Sequence, residues 1–265
     1  MIQSLCTIAT HHNLNELLLM LYSFRQFHAD IPVYVYCDMK TAAYNNEFQK
    51  LGNVGFHATE NMDVDSSNDE GWLKLMLCKT NVMDEMLEWY ENTLFVDSDL
   101  IFLDPITDLF FEYSDVILSP HRIVKSEEDK HGRYNGGFVA TNNKSFPQWW
   151  RDATAKNPKF FEQYCLNDVE QDFEVKIAPP WHNFGWFRVS PWHQENYLNA
   201  LQFLAIDDDD NLCYDGVKIS SVHTHLQNRE PRFQVLNKIL GRAFVESNNP
   251  HYQAIGKYAN SLGLL

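Results

Sequence analysis

The stretch NTLFVDSDLIFLDP, residues 92–105, sets two carboxylates, Asp97 and Asp99, inside an otherwise apolar run. Burying a carboxylate without a partner is costly. Alternate residues of a strand share a face, so the two would stand side by side and repel unless they shared a proton or a cation. A divalent ion supplies the cation, and oxygen ligands suit Mg²⁺ or Mn²⁺. Such a site is completed by phosphates and one more side chain, often a histidine when the ion is Mn²⁺. The plainer alternative is a turn in which one aspartate caps a helix and the other faces water. The apolar residues on both sides, TLFV and LIFLDP, favour the metal reading. Asp104, before Pro105, reads as turn chemistry.

Three further segments hold residues fit for chemistry. In RYNGGFVAT, Gly136 and Gly137 precede a strand, where paired glycines admit close approach of a ligand or a backbone; a simple turn would use them equally well. LNDVEQDFEV gathers Asp168, Glu170, Gln171, Asp172 and Glu174, a set that a helix would mostly leave solvated. VHTHL places His223 and His225 on one face of a strand and makes them a source for the further metal ligand. A run of four aspartates at 207–210 reads as a solvated turn.

The elements that must carry these residues alternate between strand and helix through the first half. MIQSLCTIAT, IPVYVYCD, VGFHAT and TLFVDSD read as strands. Helical spacing runs through Leu14, Leu17, Leu18 and Leu21, with Asn13 and Glu16 at capping-box distance. Further helices are expected over 41–53, stopped near Gly52, and over about 72–90. This predicts an α/β fold, Rossmann-like, with a central, mostly parallel sheet flanked by helices on both faces. In the second half DVILSP and GGFVAT read as strands around a polar segment at 121–135. SFPQWWRDATAK and QYCLNDVEQDFE read as helices, 179–197 as irregular and aromatic-rich, and GVKISSVHTHL as a late strand before a helical tail. One domain over 1–265 is expected, with a nucleotide-binding half at 1–105, an acceptor and metal half at 106–232, and C-terminal helices at 233–265. Ligands of open parallel sheets bind beyond the carboxyl ends of the strands, which is where Asp97 and Asp99 fall.

Composition narrows the function. The chain has 265 residues, 45% of them hydrophobic and 14% aromatic, enough for a substantial core. Asp and Glu number 36 against 21 Lys and Arg, a formal charge of −15, which argues against sequence-independent nucleic-acid binding. An anionic diphosphate would approach such a protein poorly without a metal or a local basic cluster. Lys74 and Lys79, Arg122, Lys125 and Arg133, and Arg229 and Arg232 are the candidates for one. Five scattered cysteines without a CxxC read as buried reduced thiols. No apolar run has transmembrane length and the first residues lack a leader pattern, so a cytoplasmic protein without a membrane span is expected.

Taken in order, FVDSD, NGGFVAT, VEQDFEV, PPWHNFG and VHTHLQNREPRF resemble the nucleotide-sugar glycosyltransferases of the GT-A fold. The resemblance is nearest to the retaining group of glycogenin and the bacterial lipopolysaccharide galactosyltransferases, and it spans most of the chain. It implies Mn²⁺ (or Mg²⁺) on Asp97 and Asp99, holding the diphosphate of a nucleotide sugar. It also implies a late histidine ligand, for which His223 and His225 compete. Asn135, Gly136 and Gly137 are implied near the donor sugar and the acceptor. Glu170, Gln171 and Asp172 are implied beside the anomeric carbon, with Pro180, Trp181 and Asn183 following. Lys74 or Lys79 is implied as a basic contact to the donor. Thr10, His11 and Asp38 are expected near the base and ribose. The family follows its histidine with Gly and a Lys-Pro-Trp signature; here QNREPRF stands instead, so only a basic residue near the phosphates, Arg229 or Arg232, carries over.

The implied reaction moves a sugar from a nucleoside diphosphate, expected to be UDP, to a hydroxyl of a glycan or other small acceptor, with retention. Carboxylates such as Glu170 and Asp172 suit an oxocarbenium-like transition state. The segment 122–134 and the aromatic block 181–192 are expected to recognise the acceptor. Three other readings compete. A phosphatase of the haloacid-dehalogenase type wants its DxD early and followed by Thr or Gly. A sugar-nucleotide pyrophosphorylase wants glycines after its first strand, and ATHHNLNE has none. A non-catalytic sugar-binding module on the same fold would keep the architecture without turnover.

Overall fold

A computed structural model describes residues 1–62, 69–121, 125–189, 203–228 and 230–265. The chain forms two compact units. The first comprises residues 1–14, 30–97 and 106–179; the second comprises 15–29, 98–105 and 180–265.

The first unit is built on a seven-stranded sheet in the order β3-β2-β1-β4-β7-β6-β8. Its strands are β1 (Leu5–Ala9), β2 (Val33–Cys37), β3 (Val54–Ala58), β4 (Thr93–Val96), β6 (Val116–Pro120), β7 (Tyr134–Thr141) and β8 (Val175–Ile177). Parallel pairing joins β3 to β2, β2 to β1, β1 to β4 and β6 to β8. β7 runs antiparallel to both β4 and β6. The sheet is therefore mostly parallel, as the strand–helix alternation predicts, with one reversed strand inside it. All four residues of β4 are buried, so a continuous apolar run was needed there. A helix of 21 residues, Asp69–Trp89, precedes β4 and starts three residues earlier than the periodicity suggests. Its apolar face (Leu75, Cys78, Val82, Met83 and Met86) packs with Cys6, Phe95, Val139, Phe146 and Trp150 into one core.

Several local expectations need correction. The helix expected over 41–53 is two short ones, Met39–Ala42 and Asn45–Lys50, and Gly52 takes the left-handed φ of 66° just beyond the second. Asn13 does not box with Glu16: its side chain reaches back to the Thr10 amide at 2.8 Å, closing a single 3₁₀ turn. The VEQDF region is 3₁₀ over Tyr164–Gln171, not an α-helix. The polar segment before β7 contains a helix, Lys125–His131.

The second unit holds two three-stranded sheets. One has the order β5-β13-β9, from Leu100–Phe102, Ser221–His223 and Phe184–Gly185; the other is the meander β10-β11-β12, from Leu204–Ile206, Leu212–Tyr214 and Val217–Lys218. Helices Pro231–Glu246 and Pro250–Ser261 close the chain, each with proline in its first turn, where the missing N–H costs nothing. The 207–210 run is a turn, with Asp207 Oδ1 accepting from the Asp209 and Asn211 amides at 3.0 and 2.8 Å. The late histidine strand is shorter than expected, ending at His223, while His225 lies beyond it at φ 125°. All five cysteines are buried and reduced. Among the described residues no helix is long and apolar enough to cross a membrane.

Candidate functional site

The DSD motif is not a strand. β4 stops at Val96; Asp97 ends its segment of the first unit, and Asp99 stands in the turn that opens β5 in the second. Each aspartate finds partners in its own unit.

In the second unit, β13 pairs antiparallel with β5, setting His223 opposite Leu100, the residue after Asp99. The amide and hydroxyl of Thr224 both donate to the Asp99 carbonyl, at 3.0 and 2.7 Å, and fix the turn. Asp99 Oδ1 then lies 3.1 Å from His223 Nε2, and Oδ2 lies 2.7 Å from His225 Nδ1. One ligand atom from each of the three residues falls within 4.8 Å of the other two. β9 lies on the far side of β13, pairing Gly185 with His223 and bringing Asn183 Oδ1 to 2.9 Å from His223 Nδ1. An oxygen there holds a proton on Nδ1 and leaves the Nε2 lone pair for a ligand, the outer-shell arrangement of metal-binding histidines. Burial alone would push the Asp99 carboxyl up; the two imidazoles outweigh it and hold the carboxyl well below the usual carboxylate range. Glu16, expected to cap a helix, is buried here instead, accepting from the Gln227 amide at 3.0 Å. Burial first, and then the Asp99 charge, push it up to about 7. One carboxylate oxygen and two imidazole nitrogens form a donor set that fits a divalent metal ion, and the oriented His223 is the observation that supports the fit.

In the first unit, Asp97 Oδ1 lies 2.9 Å from Lys79 Nζ, and Glu162 Oε1 lies 2.8 Å from the same ammonium. Lys79 also donates to the Gly136 carbonyl at 3.3 Å. Burial works against its charge, but the two carboxylates prevail and raise its pKa above the usual lysine value. Of the two lysines open in the sequence, only Lys79 joins Asp97; Lys74 pairs with Glu70 on the exposed face of the helix at 2.7 Å. The Asn-Gly-Gly segment is where the register of β6 with β7 shifts, between Leu118 and Ser119. A bulge frees backbone groups from the ladder. The Gly136 amide donates to Gln163 Oε1 at 2.9 Å, the Gly137 amide to Asn135 Oδ1 at 2.8 Å, and the Gly137 carbonyl accepts from the Asp97 amide at 3.0 Å. The bulge thus joins Asn135, Gly136 and Gly137 to Lys79 and Asp97.

The remaining predicted residues form separate groups. Glu170 Oε1 accepts from the Tyr134 hydroxyl at 2.5 Å and from Arg133 at 3.1 Å, next to the bulge in sequence. Gln171 bonds Asp168 at 3.2 Å, and Asp172 accepts from the Trp149 indole at 2.7 Å; all three side chains of the Glu-Gln-Asp motif are exposed. Asp38 is buried after β2, where it caps the next helix through the Thr41 amide at 2.7 Å and pairs with His11 Nδ1 at 2.6 Å. Burial opposes its charge, yet these bonds lower its pKa to about 2. Thr10 is the residue before His11, closing the turn described above. Arg122, Arg229 and residues 190–192 of the aromatic block lie outside the described residues, as does the Arg232 side chain. Glu162 and Gln163 escape a reading of the sequence. Gln163 opens the segment read as a helix and Glu162 just precedes it, and only the buried Lys79 and the bulge give them partners.

The profile of the nucleotide-diphospho-sugar transferase family matches residues 29–230. No curated protein sequence matches the chain. Among solved structures, galactosyltransferase LgtC, crystallised with donor and acceptor sugar analogs, superimposes with a TM-score of 0.58 at 14% identity, covering 95% of this chain and 99% of its own. The glycosyltransferase GlyE of Streptococcus pneumoniae TIGR4 gives 0.59 at 12% identity, over 99% of this chain and 64% of GlyE. Mouse xyloside xylosyltransferase 1 gives 0.56 at 13%, over 87% and 100%. These neighbours share the GT-A fold, and the chain belongs to the nucleotide-diphospho-sugar transferase family, as a glycosyltransferase of the GT-A type.

Proposed function

We propose that the protein transfers a sugar from a UDP-sugar to a glycan hydroxyl, with retention, in a reaction that depends on a divalent ion held by Asp99, His223 and His225. The observation that carries this is the convergence of those three side chains, with Asn183 orienting His223. When bound, Mn²⁺ or Mg²⁺ neutralises charge on the leaving diphosphate. The rest falls to the chain's own residues. Lys79, kept cationic by Asp97 and Glu162, holds Asp97 and the Gly136 carbonyl in place beside the bulge. Asn135, Gly136 and Gly137 stand beside the donor sugar, with Gly136 giving the Glu162 carboxylate room against the backbone. Gln171 orients the sugar, and Glu170 and Asp172 stabilise positive charge at the anomeric carbon. Thr10, His11 and Asp38 take the base and ribose, and Arg229 assists at the phosphates. The protein works where nucleotide sugars are made, in the cytoplasm.

The test is calorimetric titration with UDP, in Mn²⁺ and then in EDTA, on the wild type and on Asp99→Ala, followed by NMR of the anomeric configuration of the product. Metal-dependent binding that Asp99→Ala loses, and a product of unchanged configuration, are expected. Equal binding in EDTA refutes the metal role, and an inverted product refutes retention.

A further inference from the structure

The helix Asp69–Trp89 turns back into β4 through three residues, so its N-terminal turns extend toward the carboxyl end of that strand. Lys79 proves the direction, since it meets Asp97 immediately after β4. Trp72 lies seven residues earlier, about 10 Å further along the helix axis and on nearly the same face. It is therefore carried past the strand ends, into the zone where open α/β sheets bind ligands. There the Trp72 ring meets the Phe161 ring edge-on, with centroids 5.9 Å apart. Phe161 and Phe160 are 5.8 Å apart, and Phe160 meets His131 at 4.4 Å. Trp72 is 36% exposed and Phe160 41%.

The backbone carrying these rings is unusual. Phe160 and Phe161 are consecutive and both left-handed, with φ of 48° and 58°. Bulky side chains avoid that region, and a fold that only needed a turn here would take glycine or asparagine. The strain does not bury the ring fully, because Phe160 keeps two-fifths of its surface exposed. Strained, exposed positions gather at binding sites. The next two residues, Glu162 and Gln163, are the ones that reach Lys79 and Gly136. The strained pair thus hangs its rings at the rim of that polar cluster.

We infer that Trp72, Phe160, Phe161 and His131 form a platform for a pyranose ring of the acceptor, so that the acceptor is a glycan and not a simple alcohol. Aromatic faces cover the apolar face of a pyranose, while its hydroxyls stay directed to polar neighbours. The inference rests on the reading of the chain as a sugar transferase, and it concerns an acceptor site apart from the metal ligands.

The experiment uses the methyl glycosides of galactose, glucose, mannose and N-acetylglucosamine, followed by saturation-transfer NMR and by quenching of tryptophan fluorescence. Phe160→Gly relieves the left-handed strain and removes the ring; Phe160→Leu keeps an apolar side chain without a stacking face; Tyr113→Ser, at a site 96% exposed, is the control. At least one glycoside is expected to bind the wild type and the control alike, and at least fivefold more weakly to both Phe160 variants. Phe160→Gly should melt at or above the wild-type temperature. No binding of any glycoside to the wild type, or equal binding by the Phe160 variants, overturns the platform. A marked fall in the melting temperature of Phe160→Gly also overturns it, because the ring would then be a structural plug. UDP titration of the same samples separates this from the parent reading: glycoside binding with no UDP binding upholds the platform and rejects the donor.

Discussion

Gly136→Ala tests the coupling between the bulge and the buried ion pair. A Cβ at Gly136 would sit 2.7 Å from Glu162 Oε1, while ordinary contact begins near 3.4 Å. The carboxylate must therefore retreat by about 0.7 Å, and a crowded core resists such shifts at about 1–3 kcal/mol. Glu162 cannot retreat freely, because the same oxygen holds Lys79 at 2.8 Å. The shift carries that contact out to about 3.5 Å, beyond hydrogen-bond range, and a bond to a charged group contributes about 1.5–3 kcal/mol. The Gly136 amide keeps its bond to Gln163, so nothing else is lost. The lost bond is itself what resists the shift, so the two figures describe one cost: a net loss of about 2–3 kcal/mol is expected, read as a fall of about 5–10 °C in Tm for a chain of this size. The assay is a double-mutant cycle by urea and thermal melts, with Glu162→Ala as the second change. Glu162→Ala alone should cost about 2–3 kcal/mol, the low side of breaking a buried pair, since Asp97 still holds the ammonium. In that background the added Cβ meets no carboxylate, so Gly136→Ala should cost less than about 1 kcal/mol. Additive losses would refute the reasoning, because the clash would then lie elsewhere.

Asp38→Ala should lower stability by about 1–2 kcal/mol near neutral pH through the lost cap. The native carboxyl has its pKa depressed to about 2, so its contribution is complete above the unfolded value near 3.8 and fades as pH falls through 2. Melts of the two proteins should therefore converge between about pH 4 and pH 2, and a gap that widens in acid would contradict the pairing. Mn²⁺ should raise Tm, and its affinity should fall as the pH is lowered, because both imidazoles must be unprotonated to bind; a flat profile would exclude the histidines as ligands. Burial pushes the Cys6 thiol up to about 12 and the Cys78 thiol up to about 11. A thiol reagent at pH 8 should label no cysteine in the folded chain and all five in urea, and rapid native labelling would show that the core opens.

The sequence by itself determined the periodic and the chemical parts of this protein. The run TLFV, a threonine followed by three apolar residues, calls for a strand buried on both faces, and helical spacing before it calls for the helix that packs on it. Alternation of the two yields the sheet. Asp97, Asp99 and the late histidines declared themselves as groups that an apolar setting tolerates only with partners. Tertiary structure decided which partners. The sequence shows Asp97 and Asp99 two residues apart; the fold sets Lys79 against Asp97 and, against Asp99, two histidines more than a hundred residues away. Lys74 and Lys79 are equivalent letters until one faces water and the other a carboxylate. The VHTHL pattern suggests two histidines on one strand face, whereas the strand ends at His223 and His225 arrives through a left-handed turn. Glu162 and Gln163 carried no signal at all, because a side chain's partner across the fold is fixed by strand register and helix direction. Those are set by the sum of the core contacts, and no short run of residues encodes them.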